Sequence, residues 1–302
     1  MINEILISFC VPVYKTPIDI LRRCLVSIID CGLKRSQYEL IVVSDGNSKE
    51  YNQLLKSLVE EFNLKLIAYA NNMGLFYARK TGIEAAIGKY ICHVDSDDYL
   101  TKNSFVSFPE FYSKNNTKWD IIQYDFNIIQ LALSGEKISE SNLKYYDRFA
   151  KQGKEIQTNN EVLLQYHDVI SLFEFSTFAW SKLVLTSLYN KVFDKLKEYD
   201  LRVNLCEDHM YTFLLFTEAH SYKFVTDSFY NYDRTNTSSM ISPEVGKLDR
   251  DHWDQILSVN NYRRFLFDWF KTHSLPNTKK VEDYLKKKSR RSNSFNSFLH
   301  DL

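Results

Sequence analysis

Through its first 130 residues the chain alternates short apolar runs with longer amphipathic ones, and few folds accommodate that rhythm. "EILISFCVPV" (4–13) is short, apolar and rich in β-formers, so it reads as a buried strand. "TPIDILRRCLVSIIDCG" follows as a helix, with Thr16 as its cap, Pro17 in the first turn and Gly32 at the stop. "YELIVVSDG" is a second strand ending on Asp45-Gly46, residues 48–63 a helix, and "LKLIAYA" a third strand. "GLFYARKTGIEAAIG" is a helix ending near Gly88, "KYICHVD" a fourth strand and "WDIIQYDFNIIQ" (119–130) a fifth. Strands alternating with helices predict an α/β fold with a mostly parallel sheet covered by helices. Ligands in such folds bind beyond the carboxyl ends of the strands. Asp45 and the acidic cluster Asp95–Asp98 both fall at such ends.

The later half is less regular. Residues 131–160 are polar and read as a loop, a hairpin or an insertion. Beyond 161 the pattern turns mainly helical: "NEVLLQYHDVISLFEF", a segment around Trp180, then "CEDHMYTFLLFTEA". "YKFVTDSFYNYDR" (222–234) returns to a strand pattern, and from about 247 the chain reads as helical and becomes basic. There is no internal repeat. A length of 302 residues suits one large domain with a smaller appended region.

Acidic and basic residues balance at 38 each, which argues against a bulk attraction to nucleic acid. The five cysteines form no CxxC pair and no zinc-type spacing, and Cys10 and Cys92 lie in apolar runs as small buried hydrophobes. No apolar run approaches the roughly 18 residues needed to cross a bilayer. "MINEILISFC" lacks the basic segment and long apolar stretch of a secretory signal. These features predict a soluble, cytoplasmic protein.

"ICHVDSDDYL" (91–100) sets Asp95, Asp97 and Asp98 at the end of an apolar run, where like charges repel and resist leaving water. One reading is a solvated turn with Asp98 capping the next helix. An EF-hand loop fails on spacing, because the sixth position is Leu100 and the twelfth Val106. An aspartyl nucleophile of the haloacid-dehalogenase type would normally follow the first strand, not the fourth. The remaining reading is a Mg²⁺ or Mn²⁺ site that grips a diphosphate. Such ions take one or two carboxylates and leave places for phosphate oxygens.

Six segments in order carry a resemblance. They are "SFCVPVYKTPIDILRRCLVSI", "YELIVVSDGNSKE", "NNMGLFYARKTGIEAAIGKYICHVDSDDYL", "FAWSKLVLTSL", "LCEDHMYTFLLFTEA" and "FYNYDRTNTSSM". Together, from residue 4 to about 241, they resemble a family 2 glycosyltransferase of the GT-A fold, of the bacterial surface-polysaccharide type. The resemblance implies a Rossmann-like, mostly parallel sheet over residues 1–241, with a nucleotide-binding half (1–130) and an acceptor half (131–241). A helical, basic extension (242–302) would follow. Three positions depart from the family pattern: Ser44 for an aspartate, Lys80 for an asparagine and Cys206 for a glycine.

The resemblance also implies roles. Pro12, Val13 and Tyr14 would line the nucleotide pocket, and Asp45 would accept a hydrogen bond from the base of a UDP-sugar. Arg79 would reach the base or diphosphate. Asp95 and Ser96 would hold the ribose side, and Asp97, with Asp98 assisting, would bind Mn²⁺ or Mg²⁺. Trp180, Lys182 and Glu207 would form the sugar or acceptor side, Trp180 by stacking on a pyranose. Asp208 would be the general base of an inverting transfer to a glycan hydroxyl. Tyr232, Arg234 and Ser238 would lie in a loop closing over the diphosphate. "KKVEDYLKKKSRRS" (279–292) carries seven cations and two acids, a net of +5. It reads as a solvated helix or as a contact for anionic lipid headgroups beside a lipid-linked acceptor. Two other readings stand beside the transferase. A sugar nucleotidyltransferase normally needs a Gly-rich loop after the first strand, and "VPVYKTPID" has none. A non-catalytic sugar-binding protein would not need the Glu207–Asp208 pair.

Overall fold

The computed structural model describes residues 4–115, 119–131, 137–141, 178–196 and 207–235. The expected helices over 160–175 and beyond 247, the boundary at 241, Cys206, Ser238 and the basic tail lie outside these residues.

The apolar run at the start forms β1 (Ile7–Val13), with every residue buried. A strand apolar on both faces belongs in the middle of a sheet. Accordingly β2 (Tyr38–Ser44) and β4 (Tyr90–His93) flank it, both parallel, and β3 (Lys65–Ala68) lies parallel outside β2. The helices α1 (Ile18–Ile29), α2 (Lys49–Phe62) and α3 (Leu75–Ala85) connect them. Register fixes the rim. Val13 lies opposite Ser44, so β1 and β2 end together. Beyond β4 the Val94 N–H donates to the Cys10 carbonyl at 3.0 Å. Tyr14, Asp45 and residues 95–98 therefore emerge along one edge.

Past β4 the sheet changes direction. Strand β8 (Lys182–Leu185) is antiparallel to β4 and to β6 (Ile121–Leu131). Strand β9 (Tyr222–Asp233) runs parallel to β6, and β5 (Tyr99–Leu100) pairs antiparallel with β9. Among the described residues the order is β3-β2-β1-β4-β8-β6-β9-β5. Strand β7 (Lys137–Ser141) pairs antiparallel with β6, which is the hairpin among the three readings of residues 131–160. Neither β5 nor α4 (Phe108–Asn115) is evident from sequence pattern. Helices α5 (Thr186–Leu196) and α6 (Glu207–Glu218) pack on each other and on α3.

Helix ends follow local chemistry. Ser48 caps α2 by accepting from the Tyr51 N–H at 3.2 Å. Thr16 does not cap α1. The N-cap is Pro17, and the Thr16 hydroxyl instead shares a 2.6 Å hydrogen bond with Ser96 in the acidic turn. Gly32, at φ +95°, turns the chain after α1, and a Cβ there would lie 2.5 Å from Val106 Cγ2.

One continuous core fills the sheet. Beneath the acidic turn, Phe105 packs against Phe9 at 5.9 Å and Phe229 at 4.7 Å between ring centroids. Burying such a side chain contributes about 1.5–3 kcal/mol. Cys10, Cys24, Cys31 and Cys92 are buried free thiols, as their apolar setting predicts for Cys10 and Cys92. Among the described residues no helix is long and apolar enough to cross a membrane.

Candidate active site

The β1 and β2 ends are wired together by side chains. Asn47 donates to the Val13 carbonyl at 2.8 Å and accepts from the Lys15 N–H at 2.7 Å. Ser44, where the family pattern has an aspartate, donates to Asn52 Oδ1 at 2.6 Å. Pro12 and Val13 are buried, whereas Tyr14 is 44% exposed and is the open ring at this end of the rim. Tyr14 also carries the Lys15 ammonium 4.8 Å from its ring centroid.

Asp45 is 3% exposed. Its carboxylate accepts from the backbone N–H groups of Met73 at 2.7 Å and Gly74 at 2.9 Å, where α3 begins. Burial pushes its carboxyl up and these two donors pull it back, with burial prevailing. The contact requires Gly46. Its φ is +70°, and a Cβ there would lie 2.1 Å from the Asn72 nitrogen. Asp45 thus clamps the start of α3 as well as facing the rim.

Helix α3 carries Arg79 beneath the acidic turn. Arg79 is 2% exposed, donating to Asp95 Oδ1 at 2.6 Å and to the Tyr211 hydroxyl of α6 at 3.2 Å. The expectation that Arg79 reaches the base or diphosphate is corrected. Its guanidinium is committed to protein groups and brackets three elements. Asp95 remains partly exposed, at 25% of its side chain.

Within the turn the three aspartates separate. Asp97 is partly exposed. Ser96 is buried against Thr16. Asp98 is 1% exposed, and its two oxygens accept from the Tyr230 hydroxyl at 2.6 Å and the Asp233 N–H at 2.8 Å. Burial, with Asp95 and Asp97 nearby, pushes its carboxyl well above the usual range. No helix follows for it to cap. Asp98 therefore differs from the expected assisting metal ligand: it ties the turn to β9. Among the described residues no group of three or more His, Cys, Asp or Glu side chains forms a metal cage.

On the other side, Asp208 lies in the first turn of α6, partly exposed. Tyr211, one turn on, anchors that helix to Arg79. The Asp208 charge acts on Lys182, which is 1% exposed and donates to the Phe178 carbonyl. Burial lowers the Lys182 amine to about 7, against the pull of Asp208. Lys182 is thus a buried neighbour of Asp208 rather than an open sugar contact. The side chain of Glu207 lies outside the described residues.

Trp180 is also corrected. It is 3% exposed, stacked on Phe178 at 4.4 Å and on Tyr230 at 4.6 Å, with Tyr232 at 5.3 Å. Aromatic neighbours occupy it, so no face is open to a pyranose. Tyr232 lies in β9 rather than in a loop, and Arg234 follows it, exposed, its N–H donating to the Ile129 carbonyl at 2.8 Å.

Sequence reasoning missed Arg23, Asn47, Tyr211, Tyr230 and Asp233 as parts of this site. Tyr230 had a signal, since it and Tyr232 alternate on one face of a predicted strand. For Arg23, a cation on an amphipathic helix, there was none.

Comparison with known proteins places the family and the fold. The chain is 27% identical over 236 residues to the uncharacterized glycosyltransferase EpsJ of Bacillus subtilis, covering 78% of this chain and 62% of EpsJ. It is 23% identical over 301 residues to the poly(ribitol-phosphate) beta-N-acetylglucosaminyltransferase TarS of Staphylococcus aureus, covering 91% of this chain and 47% of TarS. The chain thus spans less than two thirds of either relative. Crystal structures of S. aureus TarS 1–349 share the fold, at 19% identity. The TM-score is 0.62 for TarS 1–349 described without a ligand and 0.60 in complex with UDP, each covering 96% of this chain and 72% of that one. It is 0.56 in complex with UDP-GlcNAc, covering 86% and 73%. The family model for glycosyl transferase family 2 matches residues 8–162, just over half of the chain and the stretch that builds the Asp45 clamp and the acidic turn. The chain belongs to glycosyl transferase family 2.

Proposed function

We propose that this chain is an inverting, metal-dependent glycosyltransferase that moves a hexose or N-acetylhexosamine from a UDP-sugar to a hydroxyl of a glycan acceptor. The observation that carries the reading is the linkage Asp95–Arg79–Tyr211. It ties the acidic turn to the helix that presents Asp208. A carboxylate on a helix tied to an acidic turn, where that turn lies at the strand ends at which α/β sheets bind ligands, suits such a transfer. The UDP and UDP-GlcNAc complexes of TarS support a uridine nucleotide sugar as donor.

In this reading the acceptor oxygen bonds to the anomeric carbon from the face opposite the diphosphate. The carbon–oxygen bond to the diphosphate breaks, and the nucleoside diphosphate leaves with the electron pair. Asp208 takes the hydroxyl proton, a contribution of roughly 10²–10⁴ in rate. Tyr14 and the buried strand ends Pro12 and Val13 bound the base and ribose, with Asp45 fixing the floor. Asp97 would hold a divalent ion, and Asp95 lies beside it. The acidic turn offers carboxylate oxygens, the donor chemistry of Mn²⁺ or Mg²⁺, and such an ion would complete its shell with phosphate oxygens and water. Such an ion, when bound, offsets the charge of the departing diphosphate. Arg234, exposed at the end of β9, is positioned to add charge there.

The acceptor belongs to bacterial surface polysaccharide, presented on a lipid carrier at the cytoplasmic face, with the basic tail against anionic headgroups. The name of TarS, a poly(ribitol-phosphate) beta-N-acetylglucosaminyltransferase, supports a polymer as acceptor.

Calorimetric titration tests the reading. UDP should bind the wild type more tightly with Mn²⁺ than without. Asp208→Asn should keep that binding while transfer from a UDP-sugar falls at least about a hundredfold. No UDP binding in either condition, or undiminished transfer by the variant, would sink it.

A further inference from the structure

Behind the turn that bears Asp97 lies the guanidinium of Arg23. Arg23 projects from the middle of α1, with its guanidinium 4.6 Å from the Tyr99 ring centroid. One terminal nitrogen donates to the Asp97 carbonyl at 2.5 Å, and the other to Asp233 Oδ2 at 2.5 Å. Asp233, the last residue of β9, has a fully buried side chain. Its other oxygen accepts from the Thr235 N–H at 2.9 Å and the Thr235 hydroxyl at 2.5 Å. The Asp233 N–H in turn donates to Asp98. A single guanidinium thus joins α1, the acidic turn and the start of the segment after β9.

We propose that Arg23, paired with Asp233, is a positioning residue for the metal-diphosphate end of the site. Resting on the functional reading above, it fixes the backbone of Asp97 so that the carboxylate meets the ion and diphosphate without reorganising. The planar fork matters, because an ammonium is a point donor and cannot span a carbonyl and a carboxylate in the same rigid geometry. The pair also lowers the electrostatic cost of the turn. Asp233 is a fourth carboxylate beside Asp95, Asp97 and Asp98, and Arg23 offsets it as Arg79 offsets Asp95. Groups that orient a metal ligand typically change metal affinity by about 10–100-fold when removed.

The test is the ratio of UDP dissociation constants without and with Mn²⁺, measured by calorimetry. Arg23→Lys should cut that ratio about tenfold while metal-free UDP binding, set by the β1 and β2 ends, stays within about twofold. Removing Arg23 alone strands a buried charge. The charge-neutral double variant Arg23→Met with Asp233→Asn is therefore the second arm, and it should lose the ratio as much. A ratio unchanged in either folded variant overturns the proposal, as does a wild type that binds UDP with no gain from Mn²⁺. A wild type that binds no UDP at all fails the functional reading first and this one with it. Hydrogen exchange on the wild type needs no variant. The amides of residues 95–98 and 233–235 should gain protection together on adding UDP with Mn²⁺. Protection confined to 95–98 counts against the link.

Discussion

Two buried aspartates, Asp45 and Asp98, sit at opposite ends of the same rim and are satisfied in different ways. Asp45 accepts two backbone N–H groups from a helix start 28 and 29 residues away. Asp98 accepts a tyrosine hydroxyl and a backbone N–H from β9, 132 and 135 residues away. The first end comes with the parallel sheet, because β1, β2 and α3 already bring its parts together. The second exists only once β9 has docked against β5 and β6. The Asp45 end is therefore built by local topology, and the Asp98 end by long-range closure.

The sharpest way to break this contrast is at the first end. Gly46→Ala puts a methyl into the Asn72 backbone at a positive φ, where no side chain can move aside. We expect a loss of about 3 kcal/mol or more in stability by chemical denaturation, with UDP affinity falling whether or not Mn²⁺ is present. If the second end is distinct, Tyr230→Phe should behave otherwise. It removes one hydroxyl, leaves Asp98 short of a donor, and should cost about 1–3 kcal/mol. Its effect on UDP binding should appear only with Mn²⁺. An equal loss without metal would erase the distinction.

A smaller effect comes from the boundary between them. The Lys182 amine is lowered to about 7 by burial. From there up to about pH 10 the unfolded chain binds a proton that the folded protein lacks, so this group makes stability rise with pH. Lys182→Met should lack that component when denaturation midpoints are compared at pH 7 and pH 9. The comparison is between proteins, because the buried thiols, whose acidity burial weakens, pull the wild-type curve the other way. Parallel curves for the two proteins would mean that Lys182 stays charged in the fold.

The same contrast governs what could be read from sequence. The strands β1 to β4, their helices and the placement of Asp45 and Asp95–Asp98 at one edge follow from periodicity and strand ends. The partners of Asp98 do not, because they depend on the register of β5 against β9, and β5 is two residues long. Trp180 carries no mark in sequence of whether its faces are covered, and the rings that cover it come from Phe178 and from β9. Arg79 and Arg23 look alike on paper as cations on amphipathic helices. Only the fold shows that one sits under Asp95 and the other behind Asp97. Thr16 has the right identity for a cap, yet its hydroxyl is drawn off to Ser96.

The lateness of β9 has a temporal consequence. A chain emerging from the ribosome has β1, β2, β3 and α3 free once little more than its first 85 residues are out. Asp98 must wait for Tyr230 and Asp233, more than a hundred residues later, with its charge still in water. Half-made molecules thus contain every residue of the Asp45 clamp before they contain those that close the turn below Asp97.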